Sequence, residues 1–113
     1  MKFKVAQQSV ATVISLQGSL MGGPDAASLN SQIHELLAAG KKNVVLDLEG
    51  VEFMNSSGLG MLIGGASTLK NAGGRLKLAH ASEKILGLIK ITKLTPVFEH
   101  FASVGAAVES FKK

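Results

Sequence analysis

Apolar positions along this chain recur with a period of about two in some stretches and of three to four in others, and the switches between the two mark its elements. Phe3 to Leu16 reads as two strands with a turn near Gln8-Ser9, the second strand being rich in β-branched residues and closing at Gly18. Met21-Gly22-Gly23-Pro24-Asp25 is a loop by its glycine and proline content. Leu29, Ile33, Leu36 and Leu37 then recur at helical spacing until Gly40, with Asp25 placed to cap the helix start. Val44-Val45-Leu46-Asp47-Leu48 is an almost unbroken apolar run of strand length, the pattern of a central strand covered on both faces.

Beyond Gly50 a short Val51-Glu52-Phe53-Met54 step leads into the turn Asn55-Ser56-Ser57-Gly58-Leu59-Gly60. Leu59, Leu62, Ile63, Ala66 and Leu69 mark the buried stripe of the next helix, which ends near Ala72-Gly73-Gly74. Arg75 to Ala81 alternates like a strand, and Ser82 caps a helix carrying Ile85, Leu86 and Ile89 that Pro96 bars from continuing. A short strand around Val97 to Phe101 and a last helix through Val104, Val108 and Phe111 complete the chain. This order, β-β-α-β-α-β-α-β-α, predicts a mixed sheet with helices packed on it.

Length fits one domain spanning residues 1–113, with no repeat or linker to divide it. The absence of cysteine excludes disulfides, thiolate zinc sites and thiol nucleophiles, and is compatible with a reducing cytoplasm. Met-Lys-Phe-Lys at the start lacks the apolar core of a signal peptide. The uncharged stretch from Phe53 to Leu69 carries four glycines and falls short of a membrane span of about 20 apolar residues, so no membrane role is expected. Net charge is +4, but the lysines are scattered and there is neither Trp nor Tyr, which argues against nucleic-acid binding. The basic balance still favours an acidic protein partner.

The serine turn carries the chemistry. Ser56 or Ser57 can accept hydrogen bonds from the unpaired N–H groups of the following helix, a cap worth about 1 kcal/mol. Yet Asn55, Ser56 and Ser57 together offer more polar side chain than a cap requires. Gly58, Gly60, Gly64 and Gly65 crowd one short helix, where each interior glycine costs roughly 1 kcal/mol against alanine. Close helix–sheet packing accounts for some of these, and close approach of a partner's backbone for others. A phosphate on such a serine would lie by the positive end of the helix dipole and bring about −1.5 to −2 charges.

Other chemistries fit worse. Gly58-Leu59-Gly60 with Gly64 only loosely matches a dinucleotide fingerprint, and the chain is short for a dinucleotide-binding domain. A hydrolase nucleophile elbow needs glycine two residues before the serine, where Met54 or Asn55 stands. His34, His80 and His100 fall on different elements and read as surface or boundary histidines. No convergent acid–base set, metal site or cofactor site emerges, and no catalysis is expected.

Three segments closely resemble the STAS family, the anti-sigma-factor antagonists of bacteria: Val44-Val45-Leu46-Asp47-Leu48, the Val51 to Met54 step, and Asn55-Ser56-Ser57-Gly58-Leu59-Gly60-Met61-Leu62. Gly18, Gly73-Gly74-Arg75-Leu76, Leu94 to Phe101 and Ala106-Ala107-Val108 extend the likeness over nearly the whole chain. It implies an α/β fold, a STAS-like mixed β-sheet of four to five strands with about four helices packed mainly on one face. It also implies a cytoplasmic partner switch, monomeric or weakly dimeric. The unphosphorylated protein binds an anti-sigma factor that is also a serine-protein kinase, freeing a sigma factor or other regulator. Phosphorylation at the second serine of the motif, here Ser57 rather than Ser56, abolishes binding, and a serine phosphatase restores it. ATP belongs to the kinase, so no cofactor is implied.

Partner contacts are expected from Asn55, Ser56, Ser57, Gly58, Leu59, Gly60, Met61 and Asp25. Two departures stand out: Asn55 occupies a position where the family commonly has aspartate, and Asp25 is the nearest carboxylate after the second strand. Two alternatives keep the same fold, a constitutive scaffold subunit of a larger regulatory or transport assembly and a nucleotide-binding module using the Gly58–Gly65 region.

Overall fold

The computed structural model describes residues 2–91 and 98–112. Five strands and four helices follow one another as β1 Lys2–Gln8, β2 Ala11–Leu20, α1 Pro24–Ala38, β3 Asn43–Met54, α2 Ser56–Asn71, β4 Arg75–Ala79, α3 Glu83–Ile91, β5 Glu99–Phe101 and α4 Val104–Ser110. The strands form one sheet in sequence order; β1 runs antiparallel to β2, and β2 to β5 are mutually parallel. Pro96, Leu94 and the first residue of the expected fifth strand, Val97, lie outside the described residues.

The alternation of β3 builds two cores at once. Val44, Leu46 and Leu48 point to one face, where they meet Leu29 and Ile33 of α1, Leu62 and Leu69 of α2, and Ile85 and Ile89 of α3. Val45 points to the other face and joins Val13, Ala79 and the α4 residues Ala107 and Val108. Three helices therefore cover one face and only α4 the other. Because α4 has seven residues, it shelters Val45 but not the next residue on that face. That residue is Asp47, which is only half-buried although its apolar neighbours Leu46 and Leu48 are fully enclosed.

Lys77 is the one charged residue the smaller core swallows among the described residues, with 4% of its surface exposed. Its Nζ donates to Ser110 Oγ at 2.7 Å, lies 4.3 Å from the centre of the Phe111 ring and pairs with Glu99 Oε2 at 3.7 Å, so the ammonium exchanges water for a hydroxyl, an aromatic face and a carboxylate at the rim. This arrangement pins the C-terminal helix to β4.

Three boundaries differ from the sequence expectation. β2 does not close at Gly18 but continues to Leu20, and β3 does not break at Gly50 but runs on to Met54. The glycines mark irregular pairing instead: the β2–β3 register shifts between Ser15 and Gln17 and again between Gly18 and Ser19. A side chain at Gly50 would press against the Leu16 carbonyl and Gln17, so glycine lets the strands stay paired through the shift. β4 ends at Ala79 rather than Ala81 because His80 turns the chain away with φ at 57°.

Helix caps are partly reassigned. Asp25 is not the α1 cap: Gly23 holds the N-cap position without a side-chain bond, Pro24 follows, and Asp25 sits within the first turn. Its carboxylate still favours the positive end of the helix there. Ser82 caps α3 as expected, its Oγ accepting from the Ile85 N–H at 3.3 Å.

Candidate functional site

β3 delivers the chain to the carboxyl end of the sheet, and the serine turn is formed there. Asn55 is the N-cap of α2, in extended conformation, with its Oδ1 accepting from the Gly58 N–H at 2.8 Å. Its carbonyl takes the Leu59 N–H, and its own N–H bonds to the Leu20 carbonyl at the end of β2. One residue thus ties helix, β2 and β3 together. The cap expected of Ser56 or Ser57 is supplied by Asn55, because the helix begins one residue earlier than a serine cap would require. This frees both serines.

Ser56 and Ser57 occupy the first two helical positions and are exposed. Among the described residues, neither hydroxyl has a hydrogen-bond partner. Their backbone N–H groups precede the first intrahelical acceptor, so they face outward at the positive end of α2. No acidic side chain in the first turn of α2 neutralises that end.

The two serines differ in surroundings. Ser57 faces the β2–α1 loop: a Cβ added at Gly22 would lie 2.9 Å from the Ser57 Cβ. Gly22 also has φ at +84°, which L side chains rarely adopt, so a glycine here both makes the turn and leaves Ser57 its space. Ser57 lies at one end of an open groove of about 560 Å³ between α1 and α2. Gly22, Gly23, Ala26 and Ala27 form one wall, and Gly60 and Gly64 line the other.

The α2 glycines divide into two kinds. A methyl group on Gly58 would overlap the Leu20 carbonyl, and one on Gly65 would meet Ile33 Cδ1 at 2.8 Å, so these two serve close packing. At Gly60 and Gly64 nothing lies within 4 Å of the added atom, and both residues are exposed. Their bareness is therefore not explained by packing inside the chain.

Of the expected partner-contact residues, the structure brings Asn55, Ser56, Ser57 and Gly60 to one surface. Gly58 and Leu59 are buried and support the turn from beneath, while Met61, also largely buried, lines the groove beside Gly60. Asp25 lies in the first turn of α1, following the loop that carries Gly22. Two residues not singled out from the sequence, Met21 and Phe53, also stand at this end of the sheet, each about half exposed. Phe53 pairs with Ser19 near the ends of β3 and β2, so both large apolar side chains flank the serine turn. A large apolar residue next to a glycine-rich polar turn was the available signal.

Histidines behave less uniformly than the sequence implies. His34 is exposed on α1. His80, just past the end of β4, lies near His100 of β5, and burial, followed by the charge of His80, lowers the His100 pKa from the ordinary 6.5. His80 also meets Asp47 and Glu49, a convergence that separated elements conceal. No helix among the described residues is long and apolar enough to cross a membrane.

Comparison with known proteins agrees with this geometry. The STAS domain family model matches residues 2–107. The anti-sigma-B factor antagonist of Bacillus subtilis is 36% identical over 62 residues, a stretch spanning 55% of this chain and 57% of that protein. Among solved structures, TM1081 of Thermotoga maritima superposes with a TM-score of 0.87 at 20% identity, covering 98% of this chain and 95% of the other. The Bacillus anti-sigma factor antagonist SpoIIAA superposes in its unphosphorylated form with a TM-score of 0.74 at 22% identity, covering 98% of both chains. Its phosphorylated form gives 0.75, again at 22% identity, over 97% of this chain and 99% of that one. With nearly its whole length matched by the family model and the five-stranded mixed sheet in place, the chain belongs to the STAS domain family.

Proposed function

We propose that this chain is an anti-sigma factor antagonist that works as a phosphorylation-controlled binding switch, with Ser57 as the modified residue. The observation that carries this is the position of Ser57: exposed, without a cap to make, at the positive end of α2, and at the mouth of a groove lined by small residues. In the unphosphorylated state the groove and the turn admit a partner's surface. That partner is an anti-sigma factor that is also a serine kinase, and its capture releases a sigma factor or another regulator.

The chemistry of the switch is simple. The kinase transfers the γ-phosphoryl group of ATP to Ser57 Oγ, the hydroxyl proton leaves, and ADP departs. The phosphate brings about −1.5 to −2 charges to a site whose own first helical turn carries none. Backbone N–H groups and the helix dipole stabilise it, so the fold holds while the docking surface changes sign and fills. Hydrolysis by a serine phosphatase reverses the change. SpoIIAA, solved with and without its phosphate, superposes on this chain almost equally well in both forms, which supports a switch acting at the surface. The role is one of binding and not of catalysis, as the name of the Bacillus subtilis relative suggests.

The test is to incubate the protein with its cognate kinase and ATP and map the product by mass spectrometry. Modification at Ser57 is expected, and labelling at neither Ser57 nor Ser56 refutes the switch. Ser57→Asp should weaken kinase binding by tenfold or more while Ser57→Ala preserves it; equal affinities remove Ser57 as the control point.

A further inference from the structure

On the face of the sheet that α4 leaves open, two side chains from the middle of β3 and one from just past the end of β4 converge. His80 Nδ1 lies 2.9 Å from Asp47 Oδ1 and 3.5 Å from Glu49 Oε2. All three donor atoms fall within 4.8 Å of one another. We propose that Asp47, Glu49 and His80 form a binding site for a divalent transition-metal ion, independent of the serine switch.

Donor type and spacing both fit. Metal–nitrogen and metal–oxygen bonds of about 2.0–2.2 Å at tetrahedral or octahedral angles place neighbouring donors roughly 3.0–3.5 Å apart. The two distances to His80 sit at or beside that range. Glu49 has 74% of its side chain exposed and is free to close the remaining gap. Two carboxylates balance the charge of a divalent ion, and the imidazole selects a transition metal over calcium or magnesium. Three protein donors leave a position for water.

The site is also braced. Asp47 Oδ2 accepts from Ser15 Oγ at 3.3 Å on the neighbouring strand, and Oδ1 accepts the Glu49 N–H at 3.1 Å. Such outer bonds fix the direction of a ligating carboxylate. Only 17% of the Asp47 side chain and 30% of the His80 side chain are exposed, so water competes less here than on the open surface. Without a metal the same groups hold a His80–Asp47 hydrogen bond between the middle of β3 and the turn that follows β4. An ion would replace that single bond by a three-ligand clamp.

The full chain, freed of metal by chelator, is titrated with Zn²⁺ by calorimetry and with Co²⁺ by visible absorption. One ion per chain is expected, with Zn²⁺ raising the thermal midpoint. Both His80→Ala and Glu49→Gln should weaken binding by more than about tenfold, since even changes in the outer shell of a metal site cost about 10–100-fold, while His34→Ala leaves it unchanged. The exposed Glu49 variant keeps the test readable should His80→Ala fold poorly. Absence of binding at millimolar Zn²⁺ overturns the site, as does binding that survives both substitutions. Either result leaves the His80–Asp47 contact as a strand tie only and has no bearing on phosphorylation at Ser57.

Discussion

Replacing glycine by alanine along α2 separates packing from partner recognition, because the same methyl group meets opposite surroundings at different positions. At Gly60 and Gly64 it meets nothing within 4 Å. The helix then gains alanine's lower backbone entropy cost, about 0.5–1 kcal/mol at each site. The double variant Gly60→Ala/Gly64→Ala should be about 1–2 kcal/mol more stable, with its thermal midpoint raised by about 4 °C per kcal/mol. At Gly58 the methyl overlaps the Leu20 carbonyl oxygen and lies 3.0 Å from Leu20 Cβ. Leu20 is fully buried at the end of β2, and its carbonyl accepts the Asn55 N–H, so neither group can retreat cheaply. Gly58→Ala should therefore cost about 2 kcal/mol or more despite its better helix propensity.

Urea denaturation followed by circular dichroism reads all three effects, provided the slope of free energy against urea stays constant. The same variants then go into a kinase-binding measurement. Two methyl groups on the wall of the Ser57 groove should weaken binding by tenfold or more in a protein that has become more stable. A Gly60→Ala/Gly64→Ala protein that is destabilised refutes the reading of open space at these positions. One that is stabilised and binds with undiminished affinity refutes the groove as the docking surface. A Gly58→Ala protein as stable as the parent refutes the close packing of α2 on β2.

Two further outcomes follow from the caps and the smaller core. Asn55→Ala removes the acceptor for the Gly58 N–H and should cost about 1 kcal/mol, whereas Asn55→Asp keeps the cap and adds charge favourable to the helix; thermal denaturation distinguishes them. Ser110→Ala strips the buried Lys77 ammonium of its 2.7 Å partner and should cost about 1–3 kcal/mol. The double variant Lys77→Met/Ser110→Ala should recover part of that loss, because no buried ammonium then lacks its hydroxyl acceptor; a double-mutant cycle in urea checks the coupling.

Sequence by itself determined the order of the elements, since period-two and helical spacings are written into local residue choice and need no distant contact to read. The buried run from Val44 to Leu48 likewise announces a central strand. Its resemblance to the STAS family, carried by the stretch from Asn55 to Leu62, also marked out the serine turn. What the local pattern could not settle was which residue caps α2, because Asn55, Ser56 and Ser57 are all good caps. Only the bond from the Asn55 N–H to Leu20, a residue remote in sequence, fixes where the helix begins.

The glycines show the same limit. Four of them in one helix look alike in the sequence, yet Leu20 and Ile33 decide that Gly58 and Gly65 are packing residues while Gly60 and Gly64 face open space. Gly50 reads as a strand breaker and turns out to permit pairing through an irregular register. Asp47, Glu49 and His80 are unremarkable along the chain because their convergence depends on parallel pairing of β3 with β4 and on the shortness of α4. Local residue preferences act over a few positions and fix the elements; the spaces between elements exist only once the sheet has brought distant strands together.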